Sequence, residues 1–252
     1  MSRKYIHVFL LTFTIIFGTQ CSKTNDAAAP AVTINTYNNK EVGASANEIL
    51  SADKPNLVLE INYVPGYELQ ATTMNSLNSF LSAYTRKGSF QLVQKTLAPT
   101  GKDTLSLSEI DQLERKNRTT FNSSTQVSIY ILITDSRYTT ANTLGAAYRN
   151  TSIVMFGKNV HQFSGGINQV SRYKLETSTL EHEFGHLFGL VNVGSPMVAP
   201  HEDATHKAHC SNDKCLMYWE TETTQMLGTL MNNTIPPFDQ NCHNDIAANG
   251  GK

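Results

Sequence analysis

Thr179-Leu180-Glu181-His182-Glu183-Phe184-Gly185-His186-Leu187-Phe188-Gly189 is the stretch on which the reading of this chain turns. His182 and His186 are four residues apart, so on a helix both imidazoles leave one face a single turn apart. Two imidazole nitrogens placed in this way can ligate one Zn2+ at about 2.0–2.1 Å. Glu183, next to the first histidine, is positioned as a general base for a water at that metal rather than as a ligand. The surrounding residues predict a helix over about 179–188, with Ser178 as N-cap and Glu181 at N3. Gly185 in a helix interior costs about 1 kcal/mol relative to Ala, so this position needs room. Gly189 can take the left-handed conformation that ends a helix and turns the chain back. Five of the eight histidines, at 182, 186, 201, 206 and 209, fall within 28 residues, which argues against two incidental surface histidines.

Outward from this helix, the chain is 252 residues long with 40% hydrophobic residues, enough for one ordinary core. Residues 57–64 (LVLEINYV) alternate and stop at Pro65-Gly66, which predicts a strand and a turn. Met74, Leu77, Phe80, Leu81 and Tyr84 recur at helical spacing. Residues 90–93 read as a second strand, and Leu107, Ile110 and Leu113 mark a short helix with Ser106 and Glu109 as a capping box. Residues 127–134 (VSIYILIT) are nearly continuous β-branched and apolar, the pattern of a central strand. Residues 152–156 (SIVMF) predict a shorter one. Beyond the motif, 190–231 reads as irregular, and a stretch of that length is functional or disordered. A last helix is predicted over about 239–248, closed by Gly250 and Gly251. The formal net charge is -1 with scattered Lys and Arg, which gives no footprint for nucleic acid.

The N-terminus carries its own signal. Arg3 and Lys4 precede an apolar run at 8–17. A membrane-spanning helix needs about 20 apolar residues, so this run has the size of a signal-peptide core instead. Cys21 follows, and the stretch resembles a bacterial lipoprotein signal in which that Cys is acylated, although Gln20 stands where a small residue is usual. The expected organisation is a signal peptide over 1–20, a tether over 21–52 and a folded domain over 53–252. The implied location is outside the cytoplasm, held to a bacterial membrane by lipid, at the periplasmic or cell-surface face.

His182-Glu183-x-x-His186-x-x-Gly189 resembles the longer signature of the metzincin clan of zinc endopeptidases. In most metzincins the third ligand follows that glycine by three residues. Here Asn192 stands at that place, and a carboxamide is a poor zinc ligand. Further on, His209-Cys210-Ser211-Asn212-Asp213-Lys214-Cys215-Leu216-Met217 resembles the stretch that completes the site in archaemetzincins. There a His is followed by Cys, four residues, a second Cys, one residue and Met. The resemblance covers about the last third of the chain and requires an insertion over about 190–208. It implies His209 as third ligand and Met217 as a turn beneath the metal. His201 and His206 stay open as alternative ligands, and Glu202, Glu220 or Glu222 would serve in a gluzincin-type site. Tyr218 and Trp219 are candidates for a substrate pocket or for core.

Cys210, Cys215 and Cys242 remain once Cys21 is assigned to the signal. An exported compartment favours a Cys210–Cys215 disulfide. Archaemetzincins use such cysteines for a second, structural zinc together with a later Cys-x-x-Cys. This chain offers only Cys242-His243 there, so the disulfide is preferred to a second ion. The resemblance also assigns 152–156 to the edge strand along the cleft, where an extended peptide can add by strand pairing.

The fold expected is therefore α+β and metzincin-like: a small twisted mixed sheet, an active-site helix and an irregular C-terminal subdomain. The activity implied is zinc-dependent endopeptidase hydrolysis of a protein or peptide substrate by a monomer, with Glu183 as base. Two alternatives stand beside it, a gluzincin-type peptidase and a non-catalytic surface lipoprotein with a structural zinc.

Overall fold

The apolar run predicted as a central strand lies in the middle of a five-stranded sheet. The computed structural model of the chain describes residues 39–232 and 234–252. The apolar run at 8–17, Cys21 and most of the expected tether lie outside the described residues. The elements in chain order are α1 (Ala46–Leu50), β1 (Asn56–Tyr63), α2 (Ala71–Tyr84), β2 (Ser89–Thr96), β3 (Thr104–Leu105) and α3 (Leu107–Asn117). They continue with β4 (Gln126–Thr134), β5 (Arg137–Tyr138), β6 (Gly145–Arg149), β7 (Ser152–Phe156), α4 (Gly157–Phe163) and α5 (Arg172–Leu187). Two short 3-10 turns follow, Trp219–Glu222 and Thr224–Met226, and then α6 (Leu227–Asn232) and α7 (Gln240–Ala248).

The strand order is β2-β1-β4-β7-β6. All pairs are parallel except β6 with β7, which is antiparallel. A strand with parallel neighbours on both sides is covered on both faces, and this explains the unbroken apolar run of β4. Ile129, Ile131 and Ile133 enter one core with Leu77, Leu81, Phe184 and Phe188. Tyr130 and Leu132, pointing the other way, enter a second core with Ile110 of α3 and Phe156 of β7. The capping box expected for α3 is formed, with the Ser106 side chain and the Glu109 side chain each bonded to the other's backbone.

Three expectations change. The motif helix α5 starts at Arg172, not near 179, and its N-cap is Ser171, whose hydroxyl accepts from Lys174 N–H. Ser178 is buried inside the helix and donates to Leu175 O at 3.3 Å. Ser178 with Glu181 imitates a capping box, but Leu175, Leu180 and Phe184 all bury in the larger core and carry the helix through it. Residues 152–156 form an interior strand, and the sheet edge on that side is β6, which sequence reasoning missed. Gly145-Ala146-Ala147-Tyr148-Arg149 is small and lacks alternation, and its register slips between Ala147 and Arg149. Finally, α1 lies within the span assigned to the tether, yet Ile49 and Leu50 are fully buried in the main core. Packed chain thus begins before residue 53.

Candidate metal centre

The second half of α5 is buried and carries His182, Glu183 and His186. The helix stops in the paired bonds of a left-handed cap: Gly189 N–H donates to His186 O at 3.0 Å and Leu190 N–H to Gly185 O at 3.1 Å. Gly189 has φ +74°, and a Cβ there would stand 2.6 Å from Ser195 N, so the position requires glycine twice over. The reversal sends the chain away from the helix axis and leaves the face with both histidines open to the returning segment.

That segment is 209–217. Cys210 N–H donates to Met217 O at 2.8 Å, which closes the stretch into a turn beneath α5. Met217 is fully buried and packs on Gly185, where a Cβ would be only 2.2 Å from its Sδ. This is the room that a glycine in mid-helix implied. The preceding carbonyl, Leu216 O, lies 2.7 Å from His182 Nδ1. A carbonyl only accepts, so Nδ1 carries the hydrogen and Nε2 presents its lone pair. His209 repeats the arrangement, with Nδ1 at 2.9 Å from Lys207 O. Its Nε2 is buried and has no hydrogen-bond partner.

The three rings converge. His182 Nε2 and His186 Nε2 are 3.1 Å apart, and the His209 ring centroid lies 5.4 Å and 5.1 Å from those of His182 and His186. Burial, against the opposing pull of Glu222 and with the push of His209, brings the His182 imidazole down to about 4. Burial first, and the neighbouring histidines second, hold His186 well below its ordinary range. Neutral imidazole is the form that binds a metal. Glu183 Oε2 accepts from Ala147 N–H on β6 at 2.7 Å, while Oε1 is buried without a partner. Burial, with the Glu222 charge second, raises the Glu183 carboxyl well above the usual range.

These atoms fit a zinc ion. Tetrahedral bonds of about 2.0–2.1 Å leave ligand atoms about 3.3 Å apart, close to the observed separation of the two imidazole nitrogens. The ligand atoms of His182, His186, His209 and Glu222 all lie within 4.8 Å of one another. The buried, unpartnered Nε2 of His209 beside the lone pair of His182 Nε2 is costly unless a cation joins them.

His201 and His206, the alternative ligands, stand elsewhere. His206 stacks on Trp219 at 4.1 Å between ring centroids and is half-exposed. His201 is buried, with Nε2 at 2.8 Å from Asp245 Oδ2 and Nδ1 at 3.4 Å from Cys210 Sγ. Asn192 is exposed. Glu202 binds Ala208 N–H at 3.1 Å, outside the centre. Of the carboxylates expected for a gluzincin-type site, only Glu222 joins the histidines among the described residues.

The Cys210–Cys215 disulfide is not formed. Cys210, Cys215 and Cys242 are free and buried. They pool rather than pair: Cys215 Sγ is 3.6 Å from Cys242 Sγ, and Cys210 Sγ is 3.3 Å from Asp239 Oδ2. Ligand atoms of His201, Cys210, Asp239 and Cys242 lie within 4.8 Å of one another, a second group suited to a metal. Hydrogen bonds from Cys210 and Cys242 draw the Cys215 thiol down to about 4, toward the thiolate that binds metals. Sequence reasoning missed His201 as the partner of these thiols because it looked for a fourth cysteine near Cys242. The signal lay in the insertion, where His201 precedes Cys210 by nine residues.

No protein-family model matches the chain, and no curated protein matches it. Solved structures do. A metalloproteinase-II from Bacteroides fragilis aligns at 13% identity with a TM-score of 0.43, over 86% of this chain and 59% of that one. An archaemetzincin from Methanopyrus kandleri aligns at 14% identity with a TM-score of 0.50, over 77% of this chain and 96% of that one. The chain therefore has the α+β fold of that archaemetzincin, with His182 and His186 of α5 joined by His209 and Glu222 in a group suited to a metal.

Proposed function

We propose that this chain is a zinc-dependent metallopeptidase acting on internal peptide bonds. His182, His186 and His209 would hold the catalytic ion. A zinc ion there acts as a Lewis acid toward a water and toward a scissile carbonyl. Glu183 does the proton work: Oε1 takes a proton from the attacking water and passes it to the departing amine. Its other oxygen is pinned by Ala147 N–H, so the carboxylate is oriented before substrate arrives. The strand that pins it is β6, an edge strand of the sheet, along which an extended peptide can pair.

One observation carries the reading: Glu183 Oε1 is buried and unpartnered, on the residue that follows His182 in the buried half of α5. A purely structural zinc has no use for such a group. Glu222 favours the gluzincin-type alternative, but the orphaned Nε2 of His209 favours three imidazoles. A second ion is proposed at His201, Cys210, Asp239 and Cys242, with Cys215 at its margin. Asp245 on the far nitrogen of His201 would orient that ring, the usual arrangement behind a metal-bound histidine.

The test is hydrolysis of casein and of a quenched fluorescent peptide, with and without chelator. Glu183→Ala should keep the zinc content of wild type while turnover falls by about 10²–10⁴-fold. Undiminished turnover, or hydrolysis indifferent to chelation, removes the proposal.

A further inference from the structure

We infer that Glu222 is a fourth, displaceable ligand that caps the catalytic metal in the resting protein; this rests on the zinc-peptidase reading and adds a regulatory element to it. The geometry is specific. Glu222 Oε2 lies 3.7 Å from His209 Nε2 and 4.0 Å from His182 Nε2. Neither separation is a hydrogen bond, and His209 Nε2 stays unpartnered despite a carboxylate pointing toward it. Both separations are near the roughly 3.3 Å between adjacent vertices of a tetrahedral zinc. The oxygen thus stands within reach of a fourth ligand position, in one group with the three imidazole nitrogens.

That fourth vertex is the one a catalytic zinc leaves for water, whereas a closed set of four protein ligands is the habit of a structural site. Glu183 in the same enclosure would be idle in a permanently closed set. The two observations are reconciled if the Glu222 carboxylate leaves and water enters, one ligand exchanged for another with no net chemistry.

The attachment of Glu222 supplies the trigger. It ends the turn Trp219–Glu222, and its carbonyl accepts from Leu144 N–H at 2.8 Å. Thr223 bridges to Thr143, and Thr224 N–H donates to Asn142 O at 3.1 Å. The segment with the cap is therefore laced to 142–144, the lead-in to edge strand β6. A peptide that adds to β6 must reach this junction, so substrate binding and release of the cap fall on the same few residues. The ligand that opens the site is an extended peptide, and the chain is self-latent without it.

The experiment uses full-length protein and Glu222→Gln and Glu222→Ala, with His209→Ala as the reference for a lost ligand. Zinc affinity is read by chelator competition, coordination by the visible spectrum of the cobalt form, and folding by circular dichroism. Glu222→Gln keeps every backbone bond of the segment and so guards against a variant that fails to fold. The cap predicts that both Glu222 variants hold zinc at least about tenfold more weakly, the loss caused even by removing an outer partner of a metal. It also predicts an altered cobalt spectrum and faster hydrolysis at sub-saturating peptide, where the wild-type cap is still in place. Unchanged zinc affinity and cobalt spectrum would overturn the cap while leaving the three-histidine site intact. Weaker zinc with slower hydrolysis would make Glu222 a permanent ligand and equally overturn it. Wild-type protein that takes up no metal at the three histidines would instead sink the peptidase reading itself.

Discussion

Gly185→Ala tests the packing beneath the metal, because two effects of known size oppose each other there. In an unencumbered helix interior the change would stabilise by about 1 kcal/mol. Here the new Cβ would meet Met217 Sδ at 2.2 Å, Met217 Cε at 3.2 Å and Phe238 Cε1 at 3.1 Å. Met217 is fully buried, so its sulfur has no solvent to retreat into. Overpacking of this kind costs about 1–3 kcal/mol, and a contact so short belongs at the upper end. The net expectation is destabilisation by about 1–2 kcal/mol, or a fall in Tm of roughly 2–8 °C for a chain of this length. Displacing Met217 also strains Leu216 O against His182 Nδ1, so zinc affinity should fall by about 10–100-fold. Thermal unfolding and chelator competition measure the two effects. The double variant Gly185→Ala/Met217→Ala supplies the control: without the sulfur the alanine should stabilise, giving a coupling of about 2–3 kcal/mol in the cycle. A rise in Tm for Gly185→Ala alone would refute the reasoning, since helix propensity would then have won.

Two further outcomes follow from the same geometry. His209→Ala should lose one ion and nearly all hydrolysis, His201→Ala should lose the other ion, and His206→Ala should change neither; metal content of the three purified variants by mass spectrometry decides it. Chelated protein should show a pH signature from Glu183. Burial raises its carboxyl well above the ordinary 4.5, so the stability it contributes is present below that pH and is lost as pH rises through the folded value. Glu183→Gln lacks this loss, so metal-free variant should gain stability relative to metal-free wild type as pH climbs from 4.5. A difference in Tm that does not vary with pH would contradict it.

Local signals reached the fold well where one physical rule governed a segment. The alternation of 57–64, the apolar run of 127–134 and the Ser106–Glu109 box became β1, β4 and the start of α3 with small shifts at the ends. They failed where tertiary burial overrode a local pattern, as at Ser178, or where the pattern was nearly absent. β6 has no alternation to read, because one of its N–H groups is spent on Glu183 and its register slips within a few residues. The helix half of the metal centre was legible because spacing of four on a helix fixes two rings without any knowledge of the rest of the chain. The other half could be approached only through likeness to a family motif, since nothing local says that 209–217 folds under α5.

Why that half belongs with the first is a matter of packing rather than of motif. Gly185 opens a gap in the helix, and Met217 fills it. Filling it brings Leu216 O to His182 Nδ1 and, through the bond from Cys210 N–H to Met217 O, draws His209 to the same face. Cys210 directly follows His209 and lies with His201, Asp239 and Cys242 in the second group suited to a metal, so an ion bound there would stiffen the loop that carries the third imidazole. A Cys210–Cys215 disulfide would have served the same mechanical end by a different bond. The expected disulfide is absent, and Cys210, Cys215 and Cys242 are free thiols instead. His201, bonded to Asp245 through Nε2, joins Cys210, Asp239 and Cys242 in a group suited to a metal, and it comes from a segment that no local rule links to the motif helix.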